Sequence, residues 1–424
     1  MTNEIRCTTP IVEWFRGLDL PLPAHYNQST MFRAARRVNP ATLRDSLRLL
    51  AVYHDMLRAR WDGSALVLRE PTASHLVRVE EHDLAGSPDA KLELTKLAND
   101  LQRSACLSDG PLVRAALFHL SDGDAVLVSI HHLVVDGVSW RILAEDLNSV
   151  YGQLLEGSTG ARLPRPRGTF PDYAARLADW AKGDEAAKEL PHWTQVADAA
   201  RRAVPPKAGG KIAWRPLLVP AEATKRLLTD GVTRLGAGVN DLLLTALARA
   251  WRRTTGAEEL VLSLEGHGRE PFGEKPPELE RIVGWFTTIY PVVVGAHDEP
   301  FAETLGRVSS ALAAVPNKGF GYGALRYLGG HGEIACPTQM TFNYLGSFEE
   351  NAGESAFFTI DDELPQGTAV AEENCAGMGF SLNCSATPRG LEGVFSYDTA
   401  SMDRRLLHMH CQALSPHFHL HLPL

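Results

Sequence analysis

The sequence predicts an α/β protein made of two lobes, and three observations support this fold class. The chain has 424 residues, which is enough for two or three domains' worth of core. Strand-like apolar runs alternate with helix-like amphipathic segments in both halves, which favours sheets covered by helices. Linker-like segments rich in proline, glycine and basic residues lie at 158–168 and 205–211. We therefore expect lobes over residues 1–175 and 176–424, each a mixed sheet covered by helices.

In the first half, a strand is followed by a helix. Residues 125–130 read AVLVSI after the turn SDGD, which predicts a strand. Residues 139–156 carry apolar side chains at three- and four-residue spacings, which predicts an amphipathic helix. A second helical pattern covers 171–197, where polar and charged residues separate the apolar ones. The segment between residues 130 and 139 should therefore connect a strand to a helix.

The second half repeats this alternation. Asn240 precedes the run DLLLTALARAWRR and is expected to cap a helix. Residues 260–264 (LVLSL) and 287–294 (TTIYPVVV) are predicted strands. Residues 380–397 are predicted to form a hairpin around the turn Thr-Pro-Arg-Gly. A sheet with at least one covering helix is the expected architecture of this half.

Charge and composition narrow the classes of function. The formal net charge of −9 disfavours binding to nucleic acid or anionic membranes, since both need a positive field. The chain shows no signal peptide and no apolar run near the ~20 residues that span a bilayer. Its cysteines form no Cys-x-x-Cys pair and have no zinc-ligand spacing. We expect a soluble, cytoplasmic protein without a metal site.

The segment 131–140 reads HHLVVDGVSW and is the most informative part of the chain. Adjacent residues of a strand point to opposite faces, so only one of His131 and His132 can face a given cleft. Histidine suits proton abstraction because its ordinary pKa lies near physiological pH. Paired histidines are also compatible with metal ligation or with satisfied core positions. Asp136 is placed to hold the turn, cap the helix or pair with an arginine.

The pattern HHxxxDGxS resembles the signature of the chloramphenicol acetyltransferase superfamily, and in particular the condensation domains of nonribosomal peptide synthetases and their epimerization relatives. In that family the second histidine is catalytic and the aspartate is structural. The resemblance therefore implies a catalytic His132, with His131, Asp136 and Gly137 in structural roles.

Further segments resemble the epimerization branch of this family. PIVEWF at 10–15 resembles its opening motif PIQxWF, with Val12 where glutamine is usual. The other matching segments are SWRILAEDL at 139–147, EGHGRE at 265–270, RIVGWFTTIYP at 281–291, PNKGFGYG at 316–323 and FNYLG at 342–346. Condensation domains lack the EGHGRE and FNYLG forms, so the full set favours an epimerization domain.

The resemblance assigns further site residues. Epimerization removes a proton from one face of Cα and returns one to the other, which calls for a second proton carrier. Glu265, expected just after a strand, is implied in that catalytic role. Tyr344 is implied as a proton donor or a hydrogen-bond donor to the enolate, although a buried core tyrosine fits nearly as well. Arg58, in HDMLRARW, is the implied partner of Asp136, and Trp285 and Asn343 are expected to shape the pocket.

The implied fold is two acetyltransferase-like lobes arranged as a V with a central tunnel. The implied reaction is the reversible L-to-D epimerization of an aminoacyl or peptidyl thioester on the phosphopantetheine arm of a carrier protein. No metal or cofactor of its own is implied, and the neighbours would be carrier, adenylation and condensation domains. The alternatives are a condensation domain that forms an amide bond and an inactive domain that only docks carrier proteins.

Overall fold

The computed structural model describes residues 4–71, 76–203, 211–347, 356–375 and 380–400. The 205–210 part of the expected second linker and the His- and Pro-rich tail at 415–424 lie outside the described residues. The chain forms two compact units. The first comprises Met1–Trp180, His267–Thr287 and Glu350–Asn374, and the second comprises Ala181–Gly266, Thr288–Glu349 and Cys375–Leu424. The boundary expected at residue 175 lies near the end of the first segment. The sequence did not predict that the two later segments belong to the first unit.

The first unit is built on a five-stranded mixed sheet in the order β12-β2-β7-β6-β5, in which only β5 and β6 are parallel. Its strands are β2 (Asn27–Ala34), β5 (Val77–Asp83), β6 (Val113–Leu120), β7 (Gly123–His131) and β12 (Phe358–Ile360). A smaller antiparallel sheet consists of β1 (Arg6–Cys7), β3 (Ala59–Trp61) and β4 (Leu66–Leu68). Strand β7 contains the predicted strand 125–130.

Helices cover both faces of the five-stranded sheet. The helices of the first unit are α1 (Pro10–Gly17), α2 (Pro40–Tyr53), α3 (Ala90–Arg103), α4 (Gly137–Leu155) and α5 (Phe170–Trp180). Leu94, Ala98 and Leu101 of α3 pack in one cluster with Phe118 and Leu127 of the sheet. Helices α2 and α4 pack on each other and contribute apolar side chains to a cavity with strands β2, β6 and β7. Helix α4 confirms the amphipathic helix predicted over 139–156.

The second unit is built on a six-stranded mixed sheet in the order β10-β9-β11-β13-β14-β8. Its strands are β8 (Ile212–Pro220), β9 (Glu259–Gly266), β10 (Thr288–Gly295), β11 (Met340–Ser347), β13 (Phe380–Thr387) and β14 (Gly390–Asp398). Strand β11 is parallel to both of its neighbours, and the other pairs are antiparallel. The two predicted strands and the predicted hairpin of this half are confirmed.

Seven α-helices are described in the second unit: α6 (Asp184–Ala187), α7 (Leu190–Ala200), α8 (Ala221–Lys225), α9 (Val232–Leu235), α10 (Val239–Thr255), α11 (Phe301–Ala313) and α12 (Phe320–Gly323). The core lies between the sheet and helices α10 and α11. The fold class, two lobes that each consist of a mixed sheet covered by helices, is thus confirmed. None of the described helices is long and apolar enough to cross a membrane.

Two local predictions were wrong. The helical pattern over 171–197 is divided into α5, α6 and α7, with Gly183 before α6 and Pro191 in the first turn of α7, where proline is well tolerated. Helix α10 is capped at Gly238 rather than at Asn240. The carboxylate of Asp241 accepts the Gly238 N–H at 2.6 Å, so an acidic side chain inside the helix satisfies a donor that a cap would otherwise leave free.

Candidate active site

The paired histidines lie where β7 passes into α4. His131 is the last residue of β7 and pairs with Asn27 of β2. A 3₁₀ turn over His132–Val134 follows, and the His132 N–H donates to the carbonyl oxygen of Tyr26 at 2.9 Å. The break in strand geometry after His131 therefore places the two side chains in different surroundings.

His131 is fully buried, and both of its ring nitrogens are used inside the first unit. Nδ1 accepts the Leu133 N–H at 3.3 Å, so Nε2 carries the proton and donates to the carbonyl oxygen of Pro23 at 2.8 Å. Desolvation lowers the pKa of His131 to about 3. A neutral imidazole with both nitrogens occupied holds the chain in place and is not available as a base.

His132 is partly exposed to solvent, and its protonation state follows from its partners. Nδ1 lies 2.9 Å from the carbonyl oxygen of Val135, which can only accept, so Nδ1 carries the proton. Nε2 then carries a lone pair instead of a proton. Desolvation is the main influence on the pKa of His132 and lowers it. The imidazole is therefore neutral near physiological pH and has the electronic form that a general base needs.

Two aromatic rings lie next to the imidazole of His132. The ring of Trp285 lies 4.1 Å from it between centroids, with an interplanar angle of 31°, and the ring of Tyr26 lies at 5.8 Å and 25°. Trp285 is buried, and its Nε1 has no hydrogen-bond partner among the described residues. The expectation that Trp285 lies at the site of His132 agrees with this geometry.

Asp136 fixes the turn between His132 and α4. One oxygen accepts both the backbone N–H and the hydroxyl of Ser139 at 2.7 Å, which caps the helix. The other oxygen accepts the N–H of Phe286 at 3.1 Å. The buried carboxylate thus ties the start of α4 to the segment His267–Thr287 of the same unit.

The cation beside Asp136 is Arg269, the arginine of the EGHGRE segment. Its guanidinium lies 3.5 Å from the carboxylate, lies over the ring of Phe286 at 3.9 Å, and donates to the carbonyl oxygens of Leu279 and Ile282. The predicted Asp136–Arg58 pair was wrong. Arg58 instead donates to the carbonyl oxygens of Arg69 and Val52, and the coulombic partners of its guanidinium are Asp55 and Glu70.

Gly137, the first residue of α4, is exposed. No atom lies within 4 Å of the position that a Cβ would take there, and its φ is not positive. Neither steric crowding nor backbone strain in the described structure therefore requires glycine at this position. Its structural role stays a prediction.

Glu265 lies within β9, not after a strand as expected, and forms a pair with Asn343 of the adjacent β11. The Nδ2 group of Asn343 donates to Oε2 of Glu265 at 2.9 Å. Solvent reaches the Glu265 side chain, yet protein atoms crowd its surroundings, and this desolvation raises the pKa of Glu265 to about 7. The carboxyl group can therefore either give or take a proton near neutral pH.

Tyr344 follows Asn343 in β11, so the two side chains leave opposite faces of the strand. Its ring packs against the core cluster of the second unit, which also contains Phe342. Desolvation, with a smaller contribution from Cys384, raises the pKa of the Tyr344 phenol. Tyr344 is thus partly buried against the core, and its catalytic role stays a prediction.

Comparison with known proteins places these features in a family. A family model described as "Condensation domain" matches residues 12–419. Surfactin synthase subunits 1 and 2 of Bacillus subtilis (strain 168) are 36% and 35% identical over 384 and 407 residues, which are 86% and 91% of this chain. Those stretches are 10% and 11% of the two relatives, so the chain spans about a tenth of their length.

Solved structures give a finer comparison. The epimerization domain from the third module of tyrocidine synthetase B is 30% identical, with a TM-score of 0.87, and the match covers 98% of this chain and 95% of that one. The first condensation domain of the calcium-dependent antibiotic synthetase matches with a TM-score of 0.74 and 19% identity, covering 98% of this chain and 96% of that one. The second likeness shows the shared fold alone.

Proposed function

Because the chain belongs to the condensation-domain family of nonribosomal peptide synthetases, we propose that it epimerises the α-carbon of an aminoacyl or peptidyl thioester held on a carrier domain. The observation that carries the proposal is the state of His132. Its Nδ1 proton is held by the Val135 carbonyl, its Nε2 is unprotonated, and desolvation lowers the pKa of the ring, which favours the neutral form. A base of this kind suits the removal of a weakly acidic Cα proton.

In the proposed reaction, Nε2 of His132 takes the α-proton of the L-thioester, and the electron pair of the C–H bond passes into an enolate. Glu265 then gives its proton to the opposite face of Cα, which yields the D-thioester, a protonated His132 and an ionised Glu265. Exchange with water restores both groups. The raised pKa of Glu265, about 7, supports this role because it keeps much of the carboxyl population protonated near neutral pH.

The proposed substrate is tethered to the phosphopantetheine arm of a carrier domain, and no metal or cofactor of the protein's own takes part. A thioester carbonyl makes the α-proton more acidic than that of a free amino acid, whose carboxylate opposes a second negative charge. Similarity to multidomain synthetases supports carrier, adenylation and condensation domains as neighbours. Free amino acids are therefore not expected to racemise.

The test is α-proton exchange in deuterated water. The probes are L-aminoacyl thioesters of the standard amino acids, each loaded on a carrier domain, then hydrolysed and analysed by chiral separation and mass spectrometry. We expect D-isomer and deuterium at Cα with the parent protein, and a loss of ~10²–10⁴-fold in His132→Ala. His25→Ala, which removes another histidine from the first unit, is the matched control.

Each other outcome of this assay has a meaning. Activity of His132→Ala within threefold of the parent contradicts the assignment of the base. An amide product from two loaded carriers, without exchange, identifies a condensation domain instead. Carrier binding without exchange or amide formation over the whole panel identifies a docking domain.

A further inference from the structure

A chain of three hydrogen bonds runs through the His132 side chain, and the proposed reaction assigns no role to most of it. The indole Nε1 of Trp140 lies 2.9 Å from Oε1 of Gln28, and Nε2 of Gln28 lies 2.9 Å from Nε2 of His132. Nδ1 of His132 lies 2.9 Å from the carbonyl oxygen of Val135. All four residues belong to the first unit.

The two ends of this chain determine the direction of every bond in it. An indole N–H can only donate, so the Gln28 atom that faces Trp140 must be the oxygen. The amide NH₂ of Gln28 then faces His132, and it can only donate to an unprotonated Nε2. At the other end, the Val135 carbonyl can only accept, which independently places the ring proton on Nδ1. Both ends therefore specify the same tautomer of His132.

Secondary structure holds the three side chains in this order. Gln28 lies on β2, two residues after Tyr26, whose carbonyl oxygen accepts the His132 N–H and whose ring stacks on the imidazole. Trp140 lies in the first turn of α4, whose start is fixed by the Asp136 cap. The Gln28 amide is thus located between a strand and a helix that are both anchored at the same turn.

We propose that Gln28, oriented by Trp140, is a positioning residue that keeps Nε2 of His132 unprotonated until a substrate displaces the amide. The inference rests on the proposed function, in which Nε2 takes the α-proton. The Gln28 N–H occupies the lone pair that must receive this proton, so the arriving Cα–H takes the place of the amide donor. Once Nε2 is protonated, a Gln28 amide held by Trp140 presents a donor to a donor, which favours release of the proton from His132.

None of the other described groups around His132 donates a hydrogen bond to its Nε2. Asp136 is the charged group that acts on the imidazole, and it raises the pKa of His132 against the larger effect of desolvation. The neighbouring His131 is neutral, and Arg269 is paired with Asp136. Tyr26 and Trp285 face the ring with their aromatic faces. Among the contacts of the described residues, Gln28 is the donor to Nε2.

The test is a titration of His132 in ¹⁵N-histidine-labelled protein, without carrier or substrate, with the His132 signals assigned by their loss in His132→Gln. Gln28→Glu keeps the shape of the side chain but replaces the donor by a negatively charged acceptor, and we expect the pKa of His132 to rise by about 1–3 units. Trp140→Phe releases the amide to rotate and should give a smaller rise. Gln153→Glu adds the same charge on α4 away from the site and should leave the titration unchanged.

Two results would overturn the proposal. One is a wild-type His132 whose neutral form carries its proton on Nε2, and the other is a Gln28→Glu protein with the pKa of the parent. If Gln28→Glu fails to fold, Gln28→Leu decides, because it removes the donor without adding charge and should also raise the pKa. The acid limb of the pH–rate profile for α-proton exchange should move with the titration. If the parent shows no exchange, the proposed function fails, while the titration still decides the role of Gln28.

Discussion

His131 and His132 are adjacent residues of one type, and their surroundings give them different chemistry. Burial lowers the pKa of both rings, but His131 uses both ring nitrogens in contacts with its own unit, whereas His132 has Nε2 directed to a side-chain amide. Side-chain amides are displaced more readily than backbone groups because they can rotate away. The proposed base is thus the histidine whose second nitrogen is held by a removable partner.

The residue most informative for the two-sided reaction is Glu265. We expect Glu265→Gln to slow conversion by ~10²–10⁴-fold from L to D and from D to L, because the amide can neither give nor take the proton. Incorporation of deuterium without inversion should persist, since His132 can still remove the α-proton and return it to the same face. Chiral analysis and mass spectrometry of the hydrolysed thioester over time measure both quantities.

The pH dependence of the parent gives a second test of Glu265. In the parent, L-to-D conversion should fall above about pH 7, where Glu265 loses its proton. Glu259→Gln, at the exposed start of the same strand, is the matched control and should keep the parent profile. A D substrate that never converts to L, while L converts to D, contradicts the assignment of two proton carriers.

At this scale the sequence identified candidate residues better than it identified their partners. The motifs singled out His132 and Glu265, and desolvation lowers the pKa of His132 and raises the pKa of Glu265 to about 7. The cation beside Asp136 was misassigned because Arg58 and Arg269 both lie far from it in sequence, and spacing carries no information about such pairs. The EGHGRE segment already contained Arg269, so its arginine was the available signal.

At the scale of elements, the turn between β7 and α4 depends on the segment His267–Thr287. Asp136 caps α4, accepts the Phe286 N–H and pairs with Arg269, so one carboxylate connects a helix start to a segment that follows over a hundred residues later. The guanidinium of Arg269 is held in turn by two carbonyl oxygens. The position of His132 therefore depends on contacts remote in sequence.

We expect Asp136→Ala to destabilise the protein by about 3–5 kcal/mol, because it leaves the largely buried guanidinium of Arg269 without its anionic partner and removes the cap of α4. Urea unfolding of the purified variant measures the change. A double-mutant cycle with Arg269→Leu should show coupling, since the two side chains are in contact. The same cycle with Arg58→Ala should show none.

An unchanged urea midpoint for Asp136→Ala would contradict the bracing role of the carboxylate. Coupling with Arg58 but not with Arg269 would contradict the pairing seen in the structure. A loss of α-proton exchange that accompanies the loss of stability is expected, because the 3₁₀ turn that presents His132 leads directly into the cap.

Element prediction succeeded where the pattern was local and failed where a short break did not interrupt the hydrophobic spacing. The apolar run at 125–130 and the amphipathic run at 139–156 correspond to β7 and α4. The pattern at 171–197 kept its periodicity across two breaks, so hydrophobic spacing alone did not reveal three helices. Glu265 was placed after its strand because β9 continues as far as Gly266, beyond the apolar run.

At the scale of the whole molecule, two compact units and their mixed sheets are what the alternation of strands and helices indicated. The sequence did not indicate that the units are discontinuous. The first unit also contains residues 267–287 and 350–374. Strand β12, from the second half of the chain, pairs with β2, and Phe358 lies opposite Ala34. A short edge strand and an irregular segment have no periodicity of their own, and only tertiary contacts assign them to a unit.

The stability of the molecule should depend on pH through His131. Its pKa is about 3 in the folded state and about 6.5 in an unfolded chain, so below pH 6.5 the unfolded state binds more protons and the free energy of unfolding falls. Between about pH 7.5 and about pH 5 the expected loss from this one residue is about 2 kcal/mol. Urea unfolding at both pH values measures this loss.

His131→Gln keeps a donor for the Pro23 carbonyl but does not titrate, so its loss of stability over the same pH interval should be smaller by that amount. Equal losses in the parent and in His131→Gln would show that His131 is not buried in its neutral form.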